Sequence, residues 1–133
     1  MLRNNIAFYI TPKAEVEYLF DDFSVRQALE KMQFHRYAMI PVLEKGTGKY
    51  LYALSEGDIL WTIHAGRLNY DDLGKIRISS ISKSRNVAPA SIDCDIESLY
   101  SIIINQNFVP IVDDRGLFIG IVTRKKVLAS LLK

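Results

Sequence analysis

The sequence predicts an α+β fold built from two copies of one unit, strand–helix–strand–strand–helix, packed as a pseudo-twofold pair. Two observations predict it. First, YAMIPVLEKGTGKYLYALSEGDIL (residues 37–60) can be written above NFVPIVDDRGLFIGIVTRKKVL (residues 107–128). Pro41 then falls on Pro110, Val42 on Ile111 and Ser55 on Thr123, with one extra residue in the first turn. Second, SVRQALEKM (residues 24–32) corresponds in the same order to DIESLYSII (residues 95–103). Self-similarity at fixed offsets marks a repeated supersecondary unit.

Each unit opens on a short strand candidate, EVEYLF in the first and NVAPASI in the second. A helix follows at an N-cap residue, Ser24 or Asp95, and Ser24 with Gln27 makes a capping box. Val25, Ala28, Leu29 and Met32 match Ile96, Leu99, Tyr100 and Ile103 at helical spacing. Two β-rich runs around a Gly-containing turn, KGTG or DDRG, then read as a β-hairpin. The closing helices are GDILWTIHAGR and KKVLASLL. Residues 68–85 form a polar connector with a few apolar anchors, which sets the boundaries at 1–67, 68–85 and 86–133. Neither half, at roughly 60 residues, buries much surface alone, so the two are expected to pack as one unit.

Composition narrows the function classes. The 133 residues are rich in aliphatics and poor in Gly and Pro, which argues against disorder. No apolar run approaches the roughly 18 residues of a membrane span, and MLRNNIAFYITPK has no signal-peptide cleavage pattern. With a single cysteine, Cys94, the chain fits a reducing cytoplasm. A net charge of +2 is too small to argue for nucleic acid. His35 and His64 belong to no metal-ligand spacing, and no nucleophile elbow or Walker loop is present. Cys94 precedes an acidic cap, which raises a thiol pKa instead of activating it. Asp71-Asp72 and Asp113-Asp114 read as connector and turn residues. Trp61, among Ile59, Leu60 and Ile63, reads as packing or dimer interface. No catalytic apparatus, metal or cofactor is expected.

The hydroxyls at the two strand–helix corners carry the chemistry. A helix beginning just after Thr123 presents unsatisfied N–H groups and the positive end of its dipole, an anion site in outline. Arg124 and Lys125 then place cations in the first turn, where the dipole prefers acids. Such a local conflict points to function, and a bound phosphate would resolve it. The alternative is that Thr123 is an N-cap and the basic residues a solvated face.

The hydrophobic-Pro-hydrophobic strands (MIPVL, FVPIV) and the strands ending in hydroxyl-x-x-polar (LSEGD, VTRKK) resemble a pair of cystathionine-β-synthase (CBS) domains, a Bateman module. The resemblance runs from about Ile10 to Leu132. It implies adenine-nucleotide binding in clefts between the repeats and regulation of another protein. NQNFVPIVDDRGLFIGIVTRKKVL is also similar to stand-alone CBS-pair proteins of Gram-positive bacteria that bind cyclic di-AMP. In this family the Ser/Thr meets phosphate and the Asp three residues later meets the ribose. The first corner keeps Ser55 and Asp58 but adds Glu56, and Tyr52 replaces the usual small residue. The second has Thr123, Gly120, Arg124 and Lys125, with Lys126 in place of the Asp. The resemblance therefore implies unequal sites, the second better for phosphate and the first for ribose. It also implies that Thr11 to Val16, Asn86 to Ala88, Tyr37 to Ile40 and Asn107 to Val109 line the clefts. Lys13 and Arg36 are expected as extra phosphate partners. Tyr37, Ala38, Ile40, Asn86 and Phe108 complete the expected ligand set, although Tyr37 and Phe108 are equally accounted for as core aromatics.

The expected function is thus a non-catalytic nucleotide sensor acting on an unidentified partner protein. The competing expectation is a structural dimerisation module with degenerate pockets. A homodimer is expected in either case, because both closing helices are apolar on more than one stripe.

Overall fold

A short strand, a capped helix and a hairpin recur twice along the chain, and each copy closes on a helix that starts at the corner hydroxyl. The computed structural model describes residues 5–81, 83 and 86–132. The elements are β1 (Thr11–Pro12), β2 (Leu19–Phe20), α1 (Val25–His35), β3 (Met39–Leu43), β4 (Tyr50–Ser55) and α2 (Glu56–His64), then β5 (Ala90–Ser91), α3 (Ile96–Ile103), β6 (Phe108–Val112), β7 (Phe118–Thr123) and α4 (Arg124–Leu131). This is the α+β class that the repeats predict.

The chain folds as two compact units that do not follow chain order. One gathers the segment up to Glu17, Gly48–Tyr50 and everything from Val87 onward. Its sheet has the order β1-β7-β6-β5, with β6 and β1 antiparallel to β7 and β5 parallel to β6. Parallel pairing of β5 with β6 follows from the intervening α3, which serves as the crossover. The core is built from Leu99 and Ile103 of α3, Val109, Ile111 and Val122 of the sheet, Val127 of α4, and Ile6 and Tyr9 from the N-terminal segment.

The other unit holds Tyr18–Thr47 and Leu51–Asn86. Its sheet has the order β2-β3-β4, with β2 parallel to β3 across α1. Val25, Ala28 and Met32 of α1 pack with Ile40, Val42, Leu54 and Ile59. The connector contributes more than its composition suggests. Leu68, Leu73, Ile78 and Ile81 are all buried in this core. Its carbonyls also finish α1: Val25 N–H donates to Ile76 O (2.8 Å) and Arg26 N–H to Leu73 O (3.1 Å). With the Ser24–Gln27 capping box in place, the first four N–H groups of α1 are all satisfied internally.

Candidate functional site

The two corners share one backbone design. Thr123 is extended (φ −93°, ψ 147°), and its Oγ1 accepts the Lys126 N–H at 3.1 Å. Ser55 is extended (φ −103°, ψ 155°), and its Oγ accepts the Asp58 N–H at 3.0 Å. The first helical N–H then leaves the helix altogether: Arg124 donates to Asn107 O and Glu56 to Ala38 O, each at 2.9 Å. Asn107 and Ala38 occupy equivalent places, three residues before the paired prolines. Of the amides in the first turn of α4, those of Arg124 and Lys126 are therefore engaged. The Lys125 N–H is left to meet an anion.

Side chains set the corners apart. At the first, the capping box is complete, because Asp58 Oδ2 accepts the Ser55 N–H at 3.0 Å. Asp58 is 4% exposed, and Thr62 Oγ1 donates to its carbonyl at 2.7 Å. Glu56 and Asp58 in the first turn suit the helix dipole. The first turn of α4 has no acid. Lys125 and Lys126 are exposed there. An open groove of about 570 Å³ runs from Asn107 and Thr123 along the Lys125, Leu128, Ala129 and Leu132 face of α4.

Arg124 has a structural partner that its sequence neighbours do not reveal. Its Nε donates to Ile103 O at 3.0 Å and its Nη2 to Ile104 O at 3.3 Å. These are the last carbonyls of α3, where a cation complements the negative end of the dipole. The apparent conflict at the start of α4 is thus relieved for Arg124 by a different helix. Lys125 and Lys126 keep the conflict.

Of the expected residues, Asn107, Thr123, Arg124 and Lys125 line the open groove together. Lys13 follows β1, which runs antiparallel to β7 with Thr11 opposite Ile121 and Pro12 opposite Gly120. That register carries Lys13 away from Thr123, and its Nζ ends 3.8 Å from where a Cβ on Gly48 would stand. Phe108 begins β6 directly opposite Thr123 and is half-buried. Arg36 ends α1 at φ +59°, the one non-glycine residue with positive φ among the described residues. Tyr37 N–H reaches back to Met32 O (2.9 Å) and Arg36 N–H to Gln33 O (3.3 Å), a Schellman closure with Arg where glycine is usual. Tyr37 stacks on His35, ring centroids 5.6 Å apart, beside an 82%-exposed Phe34. Ala38 is exposed and engaged through its carbonyl. Ile40 differs from expectation: it is wholly buried in the core, because β3 is covered along almost its whole length, and its side chain offers no surface to a ligand. Asn86 is exposed, just before the pinned backbone of Val87 and Ala88.

Gln106 does that pinning, and the sequence reading missed it. Its Oε1 accepts the Ala88 N–H (2.8 Å), and its Nε2 donates to Ala88 O (3.1 Å) and Phe108 O (3.0 Å). One side-chain amide therefore ties the lead-in of β5 to the start of β6. Tyr50 Oη adds a bond to Val87 O at 2.7 Å, and burial raises that phenol well above its ordinary value. The only available signal for Gln106 was a polar residue immediately ahead of an apolar strand.

Among the described residues no group of three or more His, Cys, Asp or Glu gathers to hold a metal, and no helix is long and apolar enough to cross a membrane.

The chain matches the CBS domain family over residues 8–65 and 78–133. No curated protein sequence matches it. Many solved structures share the fold, among them the following three. CbpB in complex with c-di-AMP is 21% identical, with a TM-score of 0.86 over 96% of this chain and 84% of that one. Listeria monocytogenes CbpB, also in complex with c-di-AMP, is 22% identical, with a TM-score of 0.83 over 97% and 96%. CBSX2 in complex with AMP is 20% identical, with a TM-score of 0.74 over 98% and 97%.

Proposed function

Because the chain belongs to the CBS-domain family, with two matched domains, we propose that it is a non-catalytic regulatory module of the cytoplasm that binds an adenine nucleotide and acts on a partner protein. The ligand is AMP, ADP, ATP or cyclic di-AMP; of these, cyclic di-AMP and AMP are the nucleotides held in the related structures. The observation that carries this reading is the second corner. There a helix start with a hydroxyl cap, an uncommitted Lys125 N–H and two exposed lysines faces no acid in its own first turn. A phosphate there accepts from Thr123 Oγ1 and the Lys125 amide and offsets the two lysine charges. Arg124 acts as a positioning residue, holding the end of α3 against this corner.

The module works as a homodimer. Leu60 and Trp61 are 56% and 60% exposed on α2, and Leu128, Leu131 and Leu132 are exposed at α4. Apolar helix stripes of this kind are buried against a second copy. Sedimentation at micromolar concentration is expected to give a species of twice the 15.2 kDa chain mass.

A thermal-shift screen with AMP, ADP, ATP, cyclic di-AMP and S-adenosylmethionine tests the reading. A ligand specific to the folded state stabilises it by about 2.7 kcal/mol at one hundred times its Kd. A midpoint unmoved by all five ligands would leave dimerisation alone as the function.

A further inference from the structure

We propose that each chain takes a single nucleotide, at the second corner, and that Tyr52 closes the first; this rests on the nucleotide-binding reading and goes beyond it by assigning occupancy to one residue. The two repeats place different residues three positions before the corner hydroxyl, Gly120 before Thr123 and Tyr52 before Ser55. At Gly120 the space is taken by backbone. A Cβ there would fall inside contact distance of the Thr11 carbonyl oxygen and 2.8 Å from Ile10 Cγ2. The absence of a side chain is what lets β1 lie along the outer edge of β7, with Pro12 opposite Gly120. The second corner therefore has a chain segment, Ile10–Pro12, as a wall beside its last strand.

The first corner has a phenol instead. The sheet of that unit has the order β2-β3-β4. Tyr52 packs against the unit's core, and its hydroxyl is buried with no partner among the described residues. Lys83 Nζ stands 3.9 Å from the ring centroid, a cation–π contact. One polar group of the corner, the Asp58 carboxylate, is also committed inward. The Ser55 hydroxyl and the Asp58 carboxylate close a capping box, and Asp58 is nearly inaccessible. Glu56 beside them repels phosphate. Where the second corner has no side chain at Gly120, the first carries the Tyr52 ring.

Isothermal titration with AMP and with cyclic di-AMP tests this on the full chain, in wild type, Tyr52→Phe, Tyr52→Gly and Tyr52→Ala, each with and without Thr123→Val. Wild type is expected to bind AMP at one per chain, and Thr123→Val to weaken it more than tenfold. Tyr52→Phe keeps the plug and should keep one per chain. Tyr52→Gly or Tyr52→Ala should expose a second, weaker event that survives Thr123→Val. If Tyr52→Gly does not fold, the alanine variant and the wild-type stoichiometry still decide. Two AMP per wild-type chain overturns the proposal while leaving nucleotide binding intact, and so does a Tyr52→Ala protein that folds and still binds one. No heat from any adenine nucleotide overturns the functional reading, and this one with it.

Discussion

Replacing Arg124 by Ala should destabilise the protein before any ligand is added. The change deletes the Nε bond to Ile103 O (3.0 Å) and the Nη2 bond to Ile104 O (3.3 Å), leaving the last turn of the eight-residue α3 without its cap. A hydrogen bond to a charged group contributes about 1.5–3 kcal/mol when sheltered. The guanidinium is partly exposed, and water replaces the longer bond at Ile104 readily, so roughly 1–2 kcal/mol in total is the expected loss. For a chain of this length that lowers the thermal midpoint by roughly 3–10 °C. Urea unfolding of wild type, Arg124→Ala and Arg124→Lys, read at the midpoint with an unchanged slope, measures it. Lysine keeps the charge but reaches only one carbonyl, and should recover about half. Affinities complete the test: Arg124→Ala should weaken AMP and adenosine alike, whereas Lys125→Ala should weaken AMP more. A stability within about 0.3 kcal/mol of wild type, a margin inside ordinary surface effects, joined to a loss confined to AMP, would refute the reasoning. The guanidinium would then be reading phosphate, and the bonds to α3 would contribute nothing.

Four further outcomes follow from single contacts. Gly120→Ala should cost about 1–3 kcal/mol, the range for overpacking, and release β1, seen as faster proteolysis near Thr11. Gln106→Ala strands the Ala88 amide and two carbonyls, and should lower the urea midpoint by the equivalent of about 1–3 kcal/mol. The Leu117 N–H, then the Arg115 N–H and its nearby charge, hold the Asp113 carboxyl below its ordinary value. Its folded pKa lies below the unfolded one, so its contribution is full above about pH 4 and lost as pH falls through the lowered value; Asp113→Ala should flatten that acid limb in urea midpoints taken from about pH 2 to 6. Burial first, and the Asp95 charge second, push the Cys94 thiol up, so labelling by a disulfide reagent at neutral pH should be slower than for free cysteine.

The repeat was legible because it is written in local chemistry. Capping residues, helical spacing and Gly-bearing turns lie within a few residues of what they organise, and Ser24, Ser55, Asp95 and Thr123 cap the helices expected of them. What stayed hidden depends on partners distant in sequence. Arg124 bonds to carbonyls 20 and 21 residues earlier, and Gln106 to a backbone 18 residues earlier. No periodicity encodes such pairs. The connector was under-read for the same reason: four apolar residues spread over residues 68–81 show no period, yet all four enter one core. Cys94 was read correctly in direction but with the wrong leading cause, since burial is a tertiary property and the acidic cap a local one.

The corners also suggest how occupancy reaches the surface on the proposed reading. The start of α2 is electrostatically complete, with a reciprocal capping box and two acids in its first turn. The start of α4 has one capping bond and two exposed lysines against the positive end of its dipole. Each misplaced charge costs about 0.3–1 kcal/mol at an exposed helix end, so an anion at Thr123 stabilises α4 by relieving roughly twice that. No such gain is available to α2. The helix that responds to the ligand is therefore the one ending in Leu128, Leu131 and Leu132, side chains that α4 leaves exposed. A helix firmed by a ligand at one end and bearing an apolar face at the other couples the two by population shift. The same phosphate cannot act through α2, whose first turn already holds the negative charge it would bring.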